Sequence, residues 1–267
     1  MSHESRPQTA AINGPLWGAR ARDWADIQEG IVRPAYDAVL ARAGIGADTA
    51  YCDIGCGAGM AAAMAVAQGA RVSGIDAATD LLAIARERVP EGDFRQGDME
   101  RLPFADGLFD VVTGFNSFQF AGNPALALGE ARRVTKPGGM VAMVAWGEPE
   151  GMPMADVIRA LGPLLPPPPP GAGGPFALST EAALRDLAAR AGLRVEAVED
   201  VKADVAYPDL ATALRGLNSS GVAARAMAVA GEETVTAAHT DALAPFRRAD
   251  GSYRIGATFR CLFTRVD

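Results

Sequence analysis

An α/β chain built on a parallel sheet is what this sequence predicts, and three observations carry the prediction. Between residues 49 and 146, short β-rich apolar runs alternate with helical runs of about ten to fifteen residues. The first run, "AYCDI", ends in Asp53–Ile54 and is followed by Gly55, Gly57 and Gly59 at every second position. Later runs also finish in an acid, at Asp76 and Asp98. Strands alternating with helices imply parallel βαβ units with helices on both faces, and ligands on such sheets bind at the carboxyl ends of the strands.

The elements follow in order. A strand over about 50–54 enters the glycine turn, and a helix runs from about Gly59 to Gln68, closed by Gly69. "ARVSGID" is the second strand. Thr79 stands where a cap of the next helix belongs, with Asp80 in its first turn and Arg86 and Arg88 in its last, matching the helix dipole. Strand "DFRQGD", the turn-rich link "LPFADG" and strand "LFDVVTGF" come next. Asn123 opens a helix with Pro124 at its first position, "KPGG" stops it, and "MVAMVAW" is a further buried strand. After Trp146 the rhythm breaks, and "GPLLPPPPPGAGGPF" reads as an extended surface linker. Ser179 or Thr180 caps a helix ending at Gly192, "LRVEAVEDVKADV" is a long strand, and residues of about 208–249 are mostly helical. "SYRIGATFRCLFTRV" is the last strand. The chain thus divides into N-terminal lid helices (1–48), a ligand-binding core (49–147), a proline-rich linker and cap insertion (148–178), and a C-terminal half (179–267) whose insertion at about 208–249 completes a helical cap.

Composition narrows the function. The 267 residues are 49 % hydrophobic and 21 % charged, enough apolar matter for a sizeable core. A net charge of −7 argues against a nucleic-acid partner, which needs a basic face. Three cysteines, Cys52, Cys56 and Cys261, show no zinc spacing, so a reduced chain without metal is expected. No apolar run approaches the roughly 18 residues of a membrane helix, and "MSHESRPQTA" lacks a signal-peptide core. A cytoplasmic protein without membrane insertion is expected.

The glycine turn carries the chemistry. Dinucleotide binding wants G-x-G-x-x-G, but Met60 stands at the third glycine, and no Gly-Lys-Ser/Thr of a triphosphate loop occurs. The turn therefore suits a smaller anion, such as a carboxylate held by the amides of the turn and helix start. Asp53 suits an ammonium beside it. Asp76, about twenty residues after the turn, is placed to accept from both hydroxyls of a ribose. Asp98, in "GDM", offers an acceptor to an exocyclic amine. Amino acid, ribose and aminated base along three strand ends describe S-adenosylmethionine.

The stretch 49–146 resembles a class I S-adenosylmethionine-dependent methyltransferase of the small-molecule type, related to the ubiquinone and menaquinone methyltransferases. "DIGCGAG" fits that family's acidic-x-Gly-x-Gly-x-Gly signature; "GID" before a helix, "GDMERLPFADGLFDVV" and "EARRVTKPGG" fit its later motifs in order. The resemblance implies a Rossmann-like seven-stranded, mostly parallel sheet with an antiparallel last strand. It also implies that Asp53, Gly55, Cys56 (through its backbone), Gly57 and Gly59 line the methionine part, Asp76 and Ala77 the ribose, and Asp98 with Met99 the adenine. Asn116 to Gln119 would face the sulfonium and the substrate. Relatives often have histidine where Gln119 falls, and a glutamine can orient a substrate but not take its proton. "LWGARARDWADIQEG" resembles the helix that closes over the cofactor, making Trp17 and Trp24, seven apart on one predicted helix, lid candidates. Phe115, Phe118 and Phe120 are candidates for an aromatic substrate wall. His239 reads as a solvent-facing helical histidine, with a base role as the alternative. The implied activity is in-line methyl transfer to oxygen, nitrogen or carbon of a small, partly apolar molecule; the competing reading is a cofactor-binding protein of the same fold without transferase activity.

Overall fold

The computed structural model describes residues 9–166 and 174–267. Helix α1 (Thr9–Gly18) and the short helix α2 (Ala21–Asp23) lead through a π turn (Trp24–Gln28) and a 3-10 turn (Glu29–Val32) into α3 (Arg33–Ala43). Then come β1 (Ala50–Ile54), α4 (Met60–Val66), β2 (Arg71–Asp76), α5 (Thr79–Arg88), β3 (Asp93–Gln96) and β4 (Phe109–Phe115). A 3-10 turn (Phe118–Phe120) precedes α6 (Pro124–Val134), β5 (Thr135–Trp146), α7 (Pro153–Arg159), α8 (Glu181–Arg190) and β6 (Arg194–Tyr207). Helices α9 (Leu210–Asn218), α10 (Gly221–Ala230) and α11 (Glu232–Leu243) separate β6 from β7 (Tyr253–Arg265).

Seven strands make one sheet in the order β3-β2-β1-β4-β5-β7-β6. Strands β1 to β5 pair in parallel, while β7 runs antiparallel between β5 and β6. Both faces are covered. Tyr51 and Val111 belong to the apolar cluster on one side and their neighbours Cys52 and Val112 to the other. Hence the central strands read as unbroken apolar runs rather than alternating ones. The strand order reverses between β1 and β4, and their carboxyl ends open the crevice in which such sheets bind ligands.

Local details depart from the sequence expectations at four places. Thr79, expected to cap α5, is its first residue; Ala78 holds the cap position, and its N–H donates at 2.8 Å to Oδ1 of Asp76 two residues earlier. A short carboxylate reaching back over a turn satisfies that amide locally. The helix before β5 ends at Val134, ahead of "KPGG"; residues 136–139 lie inside β5, where its register against β4 shifts. Trp17 and Trp24 do not share a helix, because the chain breaks between α1 and α2. The stretch read as an extended linker begins instead with a 3-10 turn (Gly162–Leu164), while the expected cap insertion 148–178 contains α7, with Met154 and Val157 fully buried against the sheet cluster. Most of its proline run, residues 167–170, lies outside the described residues, as does the tail 1–8. Thr180, one of two expected caps, does cap α8 by accepting the Ala183 N–H at 3.1 Å.

Gly59 fixes how α4 meets α5. Its φ is +81°, and a Cβ there would lie 3.0 Å from the Ala85 Cβ and 3.1 Å from the Ala85 Cα. Gly44, the C-cap of α3 at φ +63°, has no atom within 4 Å of such a Cβ. In denaturant unfolding, Gly59→Ala is expected to lose about 2–4 kcal/mol, from left-handed strain plus overpacking, and Gly44→Ala only about 1 kcal/mol from strain alone. Equal losses at the two sites would refute the close-approach role of Gly59.

Candidate functional site

The carboxyl ends of β1, β2 and β3 carry the three acids, and each has a different environment. Asp76 is half-buried and already engaged: Oδ2 accepts the Gly57 N–H at 2.8 Å and Oδ1 the Ala78 N–H at 2.8 Å. Each of its oxygens retains one lone-pair direction for a ligand. Asp98 has the same economy, with Oδ1 accepting from Glu100 N–H at 2.9 Å and Oδ2 from Ala10 N–H, in the first turn of α1, at 3.2 Å. Asp53 is buried, and its Oδ1 accepts from the Thr113 hydroxyl at 2.8 Å, itself 2.6 Å from the Tyr51 hydroxyl.

One cavity runs along these strand ends. Gly55, Gly57, Asp76, Ala77, Asp98, Met99 and Asn116 line it, and so do Trp17 and Trp24 from the N-terminal segment and His239 from α11. Trp17 packs edge-to-face on Trp24 at 4.9 Å and on Phe120 at 5.3 Å, forming an aromatic wall. Other predicted residues stand behind the surface. Asp53, Cys56 and Gly59 do not border the cavity; Cys56 and Gly55 donate their N–H groups to the Ile75 carbonyl at 3.0 and 2.8 Å, which locks the turn to β2. Phe118 is fully buried in the cluster on the far face of the sheet, so the aromatic wall is Phe115 and Phe120 without it. Gln119 is buried away from the cavity, its Nε2 3.5 Å from Asn116 Oδ1 and its Oε1 without a partner among the described residues. His239, expected to face solvent, is 3 % exposed because α9 and α10 close over it.

Sequence reasoning missed Glu29. Its side chain is 3 % exposed, pairs with Arg88 at 2.6 Å, and accepts the Met60 N–H at 3.2 Å at the start of α4. A carboxylate of the chain's own therefore sits on the helix amides that had been expected to receive a ligand carboxylate. Arg88 also donates to the carbonyl of Ala58 at 2.8 Å and that of Ala25 at 3.4 Å, tying the N-terminal segment to the glycine turn. Only the acid in "DIQEG" signalled this, and nothing in the sequence says which amides it will find.

Burial shapes the acids of the site. Burial raises the pKa of Glu29, against the opposing pull of Arg88, and burial likewise raises that of Asp76 against its backbone hydrogen bonds. Asp53 is pushed up to about 7, chiefly by burial, with the Thr113 hydrogen bond opposing and the Glu29 and Asp76 charges adding to it. Three carboxyl groups held this close create a strong preference for a cation. Among the described residues, no cluster of His, Cys, Asp and Glu is arranged to hold a metal ion. No helix among the described residues is long and apolar enough to cross a membrane.

The seven-stranded order and the row of acids at its strand ends define a Rossmann-like α/β fold whose cavity lies at the switch in strand order. Residues 52–143 match the family model described as a methyltransferase domain. The chain is 42 % identical over 94 residues to a demethylmenaquinone methyltransferase of Chlorobaculum parvum, covering 34 % of this chain and 39 % of the relative. It is 31 % identical over 169 residues to a malonyl-acyl-carrier-protein O-methyltransferase of Erwinia pyrifoliae, covering 63 % of this chain and 60 % of the relative. The matches thus span less than two thirds of these relatives. Among solved structures, the 4+2 cyclase SpnF superposes with a TM-score of 0.62 at 21 % identity, covering 97 % of each chain. A geranyl diphosphate C-methyltransferase of Streptomyces coelicolor, in complex with S-adenosyl-L-homocysteine, superposes with a TM-score of 0.58 at 14 % identity, covering 98 % of this chain and 99 % of that one.

Asp53 sets a pH dependence. Its carboxyl goes from an ordinary 3.8 to about 7 on folding, so the folded state binds the proton more tightly than the unfolded one. Stability from this group is therefore complete below 3.8, declines as pH rises, and is lost by the time pH passes about 7. Asp53→Asn removes that decline. Its melting temperature, measured by circular dichroism, is expected to exceed the wild-type value by more at pH 8 than at pH 5; an offset independent of pH would rule out an elevated Asp53.

Proposed function

We propose that the chain transfers a methyl group from S-adenosyl-L-methionine to oxygen, nitrogen or carbon of a small, partly apolar molecule. One observation carries this reading: a single cavity begins at half-buried strand-end acids and continues, past Asn116 and Phe115, into a cap of Met154, Leu161, Leu217 and His239. A polar nucleoside end joined to an apolar end is the shape of a site that holds a charged cofactor against a greasy acceptor.

The residues present fit that cofactor. Asp76 has the free acceptor positions for two ribose hydroxyls, with the Ala77 backbone beside it; Asp98 offers an acceptor to the adenine amine, with Met99 alongside. Gly55, Gly57 and Asn116 border the remaining length, where the amino-acid portion and sulfonium belong, and Asp53, Glu29 and Asp76 supply the negative field for its positive charges. When bound, the cofactor supplies an electrophilic methyl on a good leaving group. The chain's task is then alignment at roughly 3–3.5 Å and exclusion of water. Trp17, Trp24 and Phe120 wall off the cavity, and Arg20–Glu232 at 2.7 Å and Arg215–Asp23 at 2.5 Å clip the N-terminal segment to the cap helices.

A second reading, a cofactor-binding protein of this fold that performs no transfer, is supported by the neighbour SpnF, whose description is that of a cyclase. Calorimetry separates the cofactor from the activity. S-adenosyl-L-homocysteine is expected to bind the wild type, and Asp76→Ala to weaken it at least tenfold, because two ribose hydroxyls lose a charged acceptor. Equal affinities, or no binding by either protein, would remove the cofactor assignment. Methylated product from a screen of phenols, quinols, amines and acids, read by mass spectrometry, distinguishes transfer from binding alone.

A further inference from the structure

Among the described residues, His239 is the ionisable side chain at the cap end of the cavity, with Ser220 and Gln28 also in the lining, and the fold prepares it. Nδ1 lies 2.7 Å from Asn218 Oδ1 across α9 and α11. In this orientation Asn218 turns Nδ2 to the Thr236 hydroxyl at 3.1 Å and Oδ1 to the ring. With Oδ1 as the acceptor, the neutral imidazole carries its proton on Nδ1 and leaves a lone pair on Nε2. No group among the described residues hydrogen-bonds Nε2, and the ring borders the cavity. Ser220, the nearby hydroxyl that also lines it, is occupied, accepting from Ala223 N–H at 3.1 Å and donating to the Leu217 carbonyl at 3.2 Å. Leu161, Leu217, Ile158 and Val222 make up the surrounding wall. An acceptor bordering an apolar cavity is best met by a ligand that brings its own donor.

Resting on the methyltransferase reading of the same cavity, we propose that His239 Nε2 is a specificity-determining acceptor that selects an apolar molecule bearing a hydroxyl group, with Asn218 as the positioning residue that fixes its tautomer. The hydroxyl donates to Nε2 while the apolar body of the molecule lies against Leu161, Leu217 and Val222. Burial keeps the ring neutral at physiological pH, its pKa lowered to about 4, so the lone pair is available throughout that range. An ether of the same shape has no proton to give and leaves Nε2 unpaired.

The test uses 4-butylphenol and its methyl ether, 4-butylanisole, titrated calorimetrically into protein saturated with S-adenosyl-L-homocysteine. Binding of the homocysteine compound is measured first, so a failure of the cofactor assignment shows itself before the phenol is added. Wild type is expected to prefer the phenol by about tenfold, the order of effect of stranding one buried acceptor. In His239→Phe, which keeps a ring but no acceptor, the preference should fall below threefold with the homocysteine affinity unchanged. Asn218→Leu should narrow it too. Independently of either variant's folding, long-range nitrogen–proton spectra of histidine-labelled wild type should show His239 as the Nδ1–H tautomer. The proposal is overturned by a phenol preference that survives in His239→Phe, by the Nε2–H tautomer, or by homocysteine-loaded wild type that binds neither probe or both equally.

Discussion

The pair of buried Glu29 and partly exposed Arg88 holds the N-terminal segment onto the glycine turn, and the geometry of the site descends from it. Glu29 leaves water to meet Arg88 at 2.6 Å and the first amide of α4 at 3.2 Å, while Arg88 bridges to the carbonyls of Ala25 and Ala58. Removing Arg88 strands a buried carboxylate, whereas removing Glu29 leaves a guanidinium that water still reaches. With the pair in place, Trp24 stands over Gly57, Gln28 reaches the Tyr207 hydroxyl of β6 at 2.9 Å, and the segment becomes a wall of the cavity instead of a tail.

The same carboxylate shapes the electrostatics. Glu29 fills the helix start that an anionic ligand group would otherwise use, and its charge helps to raise Asp53. The end of the cavity at β1 and β2 thereby favours positive charge, while the end under α7, α9 and α11 is mostly apolar, with His239 and Ser220 as its polar groups. That gradient is what the proposed placement of a cationic nucleoside at one end and an apolar acceptor at the other rests on. Fold alone does not supply it, as the range of chemistries among structural neighbours shows.

How much of this was legible depended on whether the signal was local. The glycine turn, the acids at 76 and 98 and the alternation of strands and helices are all written in contiguous stretches, and the cavity does run past Gly55, Gly57, Asp76 and Asp98. Phe118 and Gln119 were legible only as members of a motif. The 3-10 turn after β4 swings both away from the cavity, and no local pattern distinguishes them from Phe115, Asn116 and Phe120, which stay on it. His239 was misjudged for a related reason: α11 has polar residues around it, and its burial comes from α9 and α10, which the sequence did not orient.

By itself the sequence determined the alternation of parallel strands and helices and the strand-end acids, because period, turn chemistry and strand-to-helix spacing are properties of near neighbours along the chain; the antiparallel final strand came from the family resemblance. Tertiary structure alone decided that Glu29 occupies the helix amides, that Asp53 stands behind the cavity rather than on it, and that His239 and Asn218 meet across two helices 21 residues apart in sequence. Those outcomes depend on which distant surfaces exclude water together, and burial of that kind is set by the packed whole.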